Sequence, residues 1–204
     1  HAAAVAKPVP KTAPEKALLK LGLQRPIDLA LHLPIRYEDE TRIVKLEDAL
    51  DGDTVQIEGE ITACEIAFRP RRQLVAVLHD GTDSCQLRFF NFYPAQQKQL
   101  ALGAKIRARG SVRGGMFGWQ MVHPLCKPAG GALPTALTPV YSTVAGLPQA
   151  YLRKAVVNAL AQAERSGAFE ETIPEAILKK IGLYPAWNLR EALSFLHYPA
   201  AETT

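Results

Sequence analysis

The chain has 204 residues, 48% of them hydrophobic and 22% charged, which is long and apolar enough to bury a core and excludes an intrinsically disordered chain. No run approaches the length of a membrane span, and Cys64, Cys85 and Cys126 are odd in number and widely spaced, against a disulfide framework or a Cys-x-x-Cys metal site. Reduced thiols in a cytoplasmic protein are expected, and the net charge of +4 hides a segregation. Residues 68–127 hold Arg69, Arg71, Arg72, Arg88, Lys98, Lys105, Arg107, Arg109, Arg113 and Lys127 against Asp80 and Asp83, a local +8 that leaves the remainder at −4 and points to a polyanion partner.

Residues 1–13 alternate Ala, Pro and Lys without a period and lack the apolar centre of a secretion signal; a disordered lead-in is expected. His1 in place of Met marks the chain, on expectation, as a piece of a longer polypeptide. Residues 14–50 read as a helical hairpin segment: one short helix over 15–21 closed by Gly22, a second over 26–33 stopped by Pro34, a polar connection, and one further turn at 46–50.

Residues 54–127 carry an all-β signal. Val55, Ile57, Gly59, Ile61 and Ala63 alternate with polar residues, 74–78 is an apolar run, and 84–92 is a third strand. Residues 94–102 supply a helix; in 105–113 Ile106, Ala108 and Val112 alternate with Lys105, Arg107, Arg109 and Arg113; and 117–123 closes the set. Five strands with one helix between the third and fourth predict an OB-fold barrel, whose usual binding surface is the face of strands two and three with the loop joining the first two. The fold class is therefore α+β, a five-stranded OB-fold flanked by amino-terminal and carboxy-terminal helical segments. Residues 128–147 read as a linker, and 148–204 as a helical segment opened by Pro148, with Leu152, Ala155, Val156, Ala159, Leu160 and Ala163 forming one apolar stripe.

The third strand is the functional clue. Alternation puts Cys85, Leu87 and Phe89 on one face and Gln86, Arg88 and Phe90 on the other. Burial accounts for Phe89, with Trp119 and Met121, but not for a ring turned outward beside a cation. A planar ring amid positive charge suits stacking on an unpaired base, with guanidinium near phosphate. The first loop, Phe68-Arg69-Pro70-Arg71-Arg72, adds charge to the same face. Phe90, Phe92 and Tyr93 are thus the candidate stacking rings, and Arg69, Arg71, Arg72, Arg88, Lys105, Arg107 and Arg109 the candidate phosphate contacts.

Catalytic motifs are missing from the sequence: there is no phosphate-binding Gly-rich loop, no His-Glu-x-x-His and no Gly-x-Ser-x-Gly. A Cys–His hydrolase built from Cys85 or Cys126 with His79 or His123 lacks an orienting third group and an oxyanion hole. The rival binding reading is an OB-fold that takes a peptide on the same aromatic face, without a DNA role.

The blocks Leu87-Arg88-Phe89-Phe90-Asn91-Phe92, Leu31-His32-Leu33-Pro34-Ile35-Arg36-Tyr37-Glu38-Asp39, Val122-His123-Pro124 and Leu137-Thr138-Pro139-Val140-Tyr141, in that spacing, resemble the amino-terminal wedge region of RecG-type ATP-dependent DNA helicases. The resemblance runs from about Leu18 to Pro199 and implies a wedge that grips branched DNA, a stalled fork or Holliday junction. It also implies motor domains elsewhere on the polypeptide that use ATP and Mg, with no cofactor in this stretch. The family motif places a stacking aromatic directly before its Asn, here Phe90, and a second on Phe92 or Tyr93. A monomer, nucleoid-associated in a bacterial cytoplasm, is expected.

Overall fold

The computed structural model describes residues 12–170, 172–182 and 188–201. Of the expected lead-in, residues 1–11 lie outside the described residues. Thr12, by contrast, already caps the first helix, α1 (Ala13–Lys20), with its hydroxyl accepting from Glu15 N–H and Glu15 Oε2 accepting from Thr12 N–H at 2.9 Å. Pro26 opens α2 (Pro26–Ala30), where the Arg25 guanidinium and backbone N–H on Asp28 hold that carboxyl down at about 2. The polar connection then contains a short strand, β1 (Arg36–Glu38), and Leu46–Asp48 makes one 3-10 turn.

The barrel comprises β2 (Thr54–Ala67), β3 (Gln73–His79), β4 (Ser84–Phe89), β5 (Lys105–Arg113) and β6 (Trp119–Val122), with α3 (Pro94–Gln99) between β4 and β5. The ladder runs β2-β3-β4-β6-β5 and closes through β2–β5. Closure needs β2 to serve two neighbours: residues 54–60 pair with β5, residues 60–67 with β3, and an irregularity between Ile61 and Ala63 bends the strand from one to the other. Gly59 sits at that crossing, where a Cβ would lie 2.2 Å from the His79 carbonyl oxygen. Ile57, Ile61, Leu74, Leu78, Leu87, Phe89 and Met121 fill the interior, each contributing about 1.5–3 kcal/mol by burial. Asp80 ties off the β3–β4 hairpin: burial pushes its carboxyl up, but hydrogen bonds from Asp83 N–H, Leu46 N–H and Thr82 outweigh that and bring it to about 2.

Two stretches differ from expectation. Lys105, Arg107 and Arg109 do not share an open face. An added strand, β7 (Leu125–Pro128), pairs with the outer edge of β5, and the turn after it covers the Arg107 side chain, which is 3% exposed. The stretch 128–147 is not wholly a linker: it contains β8 (Thr138–Val140), antiparallel to β1.

The chain divides into two compact units, residues 40–134 and residues 1–39 with 135–204. The second unit contains α4 (Gln149–Arg165), α5 (Glu175–Lys180) and α6 (Leu189–His197). Leu152 and Val156 of α4 pack with Ala17, Leu23, Tyr141 and Leu147, so the two helical ends expected as separate segments share one core. His197, buried, joins them: Nε2 meets Ala30 O at 2.8 Å and Nδ1 meets Tyr141 OH at 2.8 Å. Since a carbonyl only accepts, Nε2 carries the proton and Nδ1 takes the Tyr141 hydroxyl hydrogen. No helix among the described residues is long and apolar enough to cross a membrane.

Candidate nucleic-acid interface

The loop after β2 and the segment after β4 meet because of register. Ala67 faces Gln73 across the β2–β3 hairpin and Leu74 faces Phe89 across β3–β4, so residues 68–72 lie beside residues 90–93. Gln73, fully buried, steadies the loop by donating Nε2–H to Arg69 O at 3.1 Å.

Phe90 lies just past the end of β4 and is half-buried, outside the barrel core. The Arg71 guanidinium carbon sits 3.8 Å over its ring centre, and that of Arg72 sits 4.4 Å over Phe92. Phe92 is half-buried against the barrel core, whereas Tyr93 is 76% exposed at the start of α3. Arg69 and Phe68 are exposed on the same loop. Arg88 is half-buried on β4; Nη1 donates to Gln120 Oε1 at 3.2 Å, and Nε is buried without a partner.

The remaining candidate cations face carboxylates. Arg107 donates to Glu58 and, through Nη2, to Gly131 O at 2.6 Å; Lys105 pairs with Glu60; Arg109 lies 3.7 Å from Glu40. Each of these three cations has a carboxylate within 4 Å, and Arg107 is buried. The structure brings together Arg69, Arg71, Arg72, Arg88, Phe90, Phe92 and Tyr93, and leaves these three apart.

His123, part of the Val122-His123-Pro124 block, belongs with the site, although its sequence neighbours give no sign that it meets Phe90. The parallel pairing of β4 with β6 sets Arg88 opposite Val122, which places His123 beside Phe90. Its imidazole meets Phe90 edge-on at 5.5 Å and Phe89 at 6.0 Å, and Nε2 accepts from Phe90 N–H at 3.4 Å. Its backbone N–H donates to Arg88 O at 2.8 Å, and its φ of +50 is rare for a residue with a side chain. Phe90 is thus bracketed by Arg71 on its face and His123 at its edge.

All three thiols are shifted away from the thiolate form. Burial, reinforced at Cys85 by Asp80 and Asp83, pushes Cys85 up to about 12, and burial alone does the same to Cys126.

A closed OB-type barrel with arginine-capped rings beside its first loop places the chain in the class of small OB-fold barrels. The RecG wedge domain matches residues 5–163, and the chain belongs to that family. The ATP-dependent DNA helicase RecG of Escherichia coli (strain K12) is 37% identical over 186 residues, 89% of this chain and 26% of that protein. The same-named protein of Thermotoga maritima is 31% identical over 190 residues, 91% of this chain and 24% of that protein. The chain therefore spans about a quarter of the length of these relatives. A solved structure of RecG bound to a three-way DNA junction matches 97% of this chain and 28% of that one, with a TM-score of 0.71 and 26% identity.

Proposed function

We propose that this chain is the junction-gripping wedge of a RecG-type ATP-dependent DNA helicase that remodels stalled forks and Holliday junctions in bacterial recombination and repair. The observation that carries the reading is Phe90: a ring outside the barrel core, with a guanidinium on its face, in a chain of the RecG wedge family. Where strands part, the last base pair loses a stacking neighbour. Phe90 replaces that neighbour, and Tyr93, the more open of the two further rings, caps the other strand while Phe92 supports it from the core. An arriving base takes the place of the Arg71 guanidinium, which moves to the adjacent phosphate with Arg69 and Arg72. Arg88 backs the same surface. Stacking worth about 1–3 kcal/mol per base offsets part of what separation costs, and phosphate contacts add affinity without sequence preference.

Motor domains elsewhere on the polypeptide supply ATP- and Mg-dependent pulling; this stretch contributes no residue to that chemistry. The setting is the nucleoid in the cytoplasm, and the wedge works as a monomer.

Titration of forked, four-way and linear DNA at two salt concentrations tests the reading. Branched substrates bind more tightly than linear duplex, and Phe90→Ala weakens branched binding about tenfold, from the loss of one stacked base, with little effect on linear duplex. Equal losses on both would sink the proposal.

A further inference from the structure

β3 opens on an amide at a position where burial favours a hydrocarbon. Gln73, its first residue, is fully buried, and its two polar atoms fare differently. Nε2 donates to Arg69 O at 3.1 Å, while no group among the described residues donates to the buried Oε1. A desolvated oxygen left unanswered costs free energy that a methionine of similar length would not. The accepting carbonyl gives no better reason for the amide, because Arg69 is exposed and a carbonyl at the surface can turn to solvent. Barrel stability therefore does not account for this residue.

What the bond does hold is the first loop. Ala67 and Gln73 are the last paired residues of the β2–β3 hairpin, and among the described residues 68–72 make no other hydrogen bond to the barrel. The loop's remaining directed contacts are the guanidiniums of Arg71, 3.8 Å over Phe90, and of Arg72, 4.4 Å over Phe92. The amide thus fixes residue 69, the origin from which both arginines reach across to rings two residues apart. It is also the one of the three contacts that involves no ring. A base stacking on Phe90 takes the place of Arg71 and leaves the Gln73 bond intact.

We infer that Gln73 is a positioning residue for branched-DNA binding, holding the first loop in register through that exchange so that Arg69, Arg71 and Arg72 meet phosphate as one prearranged set. This rests on the junction-binding reading and deepens it. Fixing the loop beforehand removes part of the ordering entropy that binding otherwise opposes, and cations presented together on one tether reinforce one another. The amide itself touches no DNA; it acts through the loop.

Gln73→Met removes the bond together with the unanswered oxygen and keeps the length of the side chain. Its melting temperature is expected to match or exceed that of the unsubstituted chain, whereas its affinity for a three-way junction falls about tenfold. All the cations remain, so the slope of log affinity against log salt is kept. In an Arg71→Ala/Arg72→Ala background the same substitution changes junction affinity by less than about twofold, since Gln73 acts through those two residues.

A second measurement needs no substitution. Protons held over a ring face resonate upfield, so adding the junction moves the Arg71 side-chain signals away from that position while the Gln73 side-chain amide signals stay where they were. The inference is overturned if Gln73→Met binds the junction as tightly as the unsubstituted chain, if it loses melting temperature in step with affinity, if its loss adds fully to that of the arginine pair, or if the Gln73 amide signals shift together with those of Arg71. Failure of the junction reading looks different: the unsubstituted chain would then bind three-way junctions no better than linear duplex, and the Arg71 signals would answer both alike.

Discussion

Phe90 and His123 are far apart in sequence and share one small environment, and the two were unequally visible beforehand. Strict alternation over 85–90 exposes the misfit of an outward Phe, because period-two patterning is a local property. His123 becomes a partner only through the parallel pairing of β4 with β6, which no local pattern encodes. Its left-handed backbone, edge-on ring and acceptor nitrogen act on Phe90 together. His123→Ala is expected to weaken junction binding about fivefold and to add little on top of Phe90→Ala, since both act on one ring. His123→Gly, which suits φ +50, retains thermal stability yet shows the same binding loss. Additive losses in the double variant would remove the positioning role.

At the scale of elements, the first loop and β5 carry cations of opposite purpose. Both looked alike as charge counts, and alternation along β5 described which residues share a side without revealing that β7 and the turn after it cover that side. Arg71 and Arg72 lie on aromatic rings at the surface, whereas Arg107 is sealed against Glu58 and Gly131. Reversing charge at Arg71 and Arg72 should flatten the dependence of log affinity on log salt by about two contacts and leave the melting temperature nearly unchanged. Arg107→Met should do the reverse. It leaves Glu58 with the Gly130 N–H and lowers stability by about 1.5–3 kcal/mol, the loss of one charged hydrogen-bonded pair, while the salt slope of the surviving folded protein stays the same. A reduced slope in Arg107→Met would return that residue to the DNA surface.

For the molecule as a whole, the barrel order was readable from strands and turns, but the union of the two helical ends was not. Each end showed its own period, and the core they share depends on Tyr141 and His197 meeting residues near the start of the chain. That union has an acid signature. Burial lowers the His197 imidazole below its usual value, with the Ala30 carbonyl opposing and His32 adding to the shift. The unfolded chain therefore binds a proton below about pH 6.5 that the folded unit resists, and stability present above that pH is lost as pH falls through it. In the barrel, Asp80 at about 2 contributes stability that is complete above about pH 4 and fades only towards pH 2. Melts followed by Tyr emission and by hydrogen exchange should show the helical unit loosening near pH 6 and the barrel holding to pH 3. Simultaneous loss of both would contradict the assignment.

Barrel closure has a consequence for crowding. With β2 pairing β5 through residues 54–60 and β3 through residues 60–67, one border of the sheet falls to β7, a four-residue strand bearing Lys127 and finishing in Pro128. That brief, charged, proline-ended margin gives another polypeptide few amide groups to zip onto, which disfavours strand-by-strand association through β7.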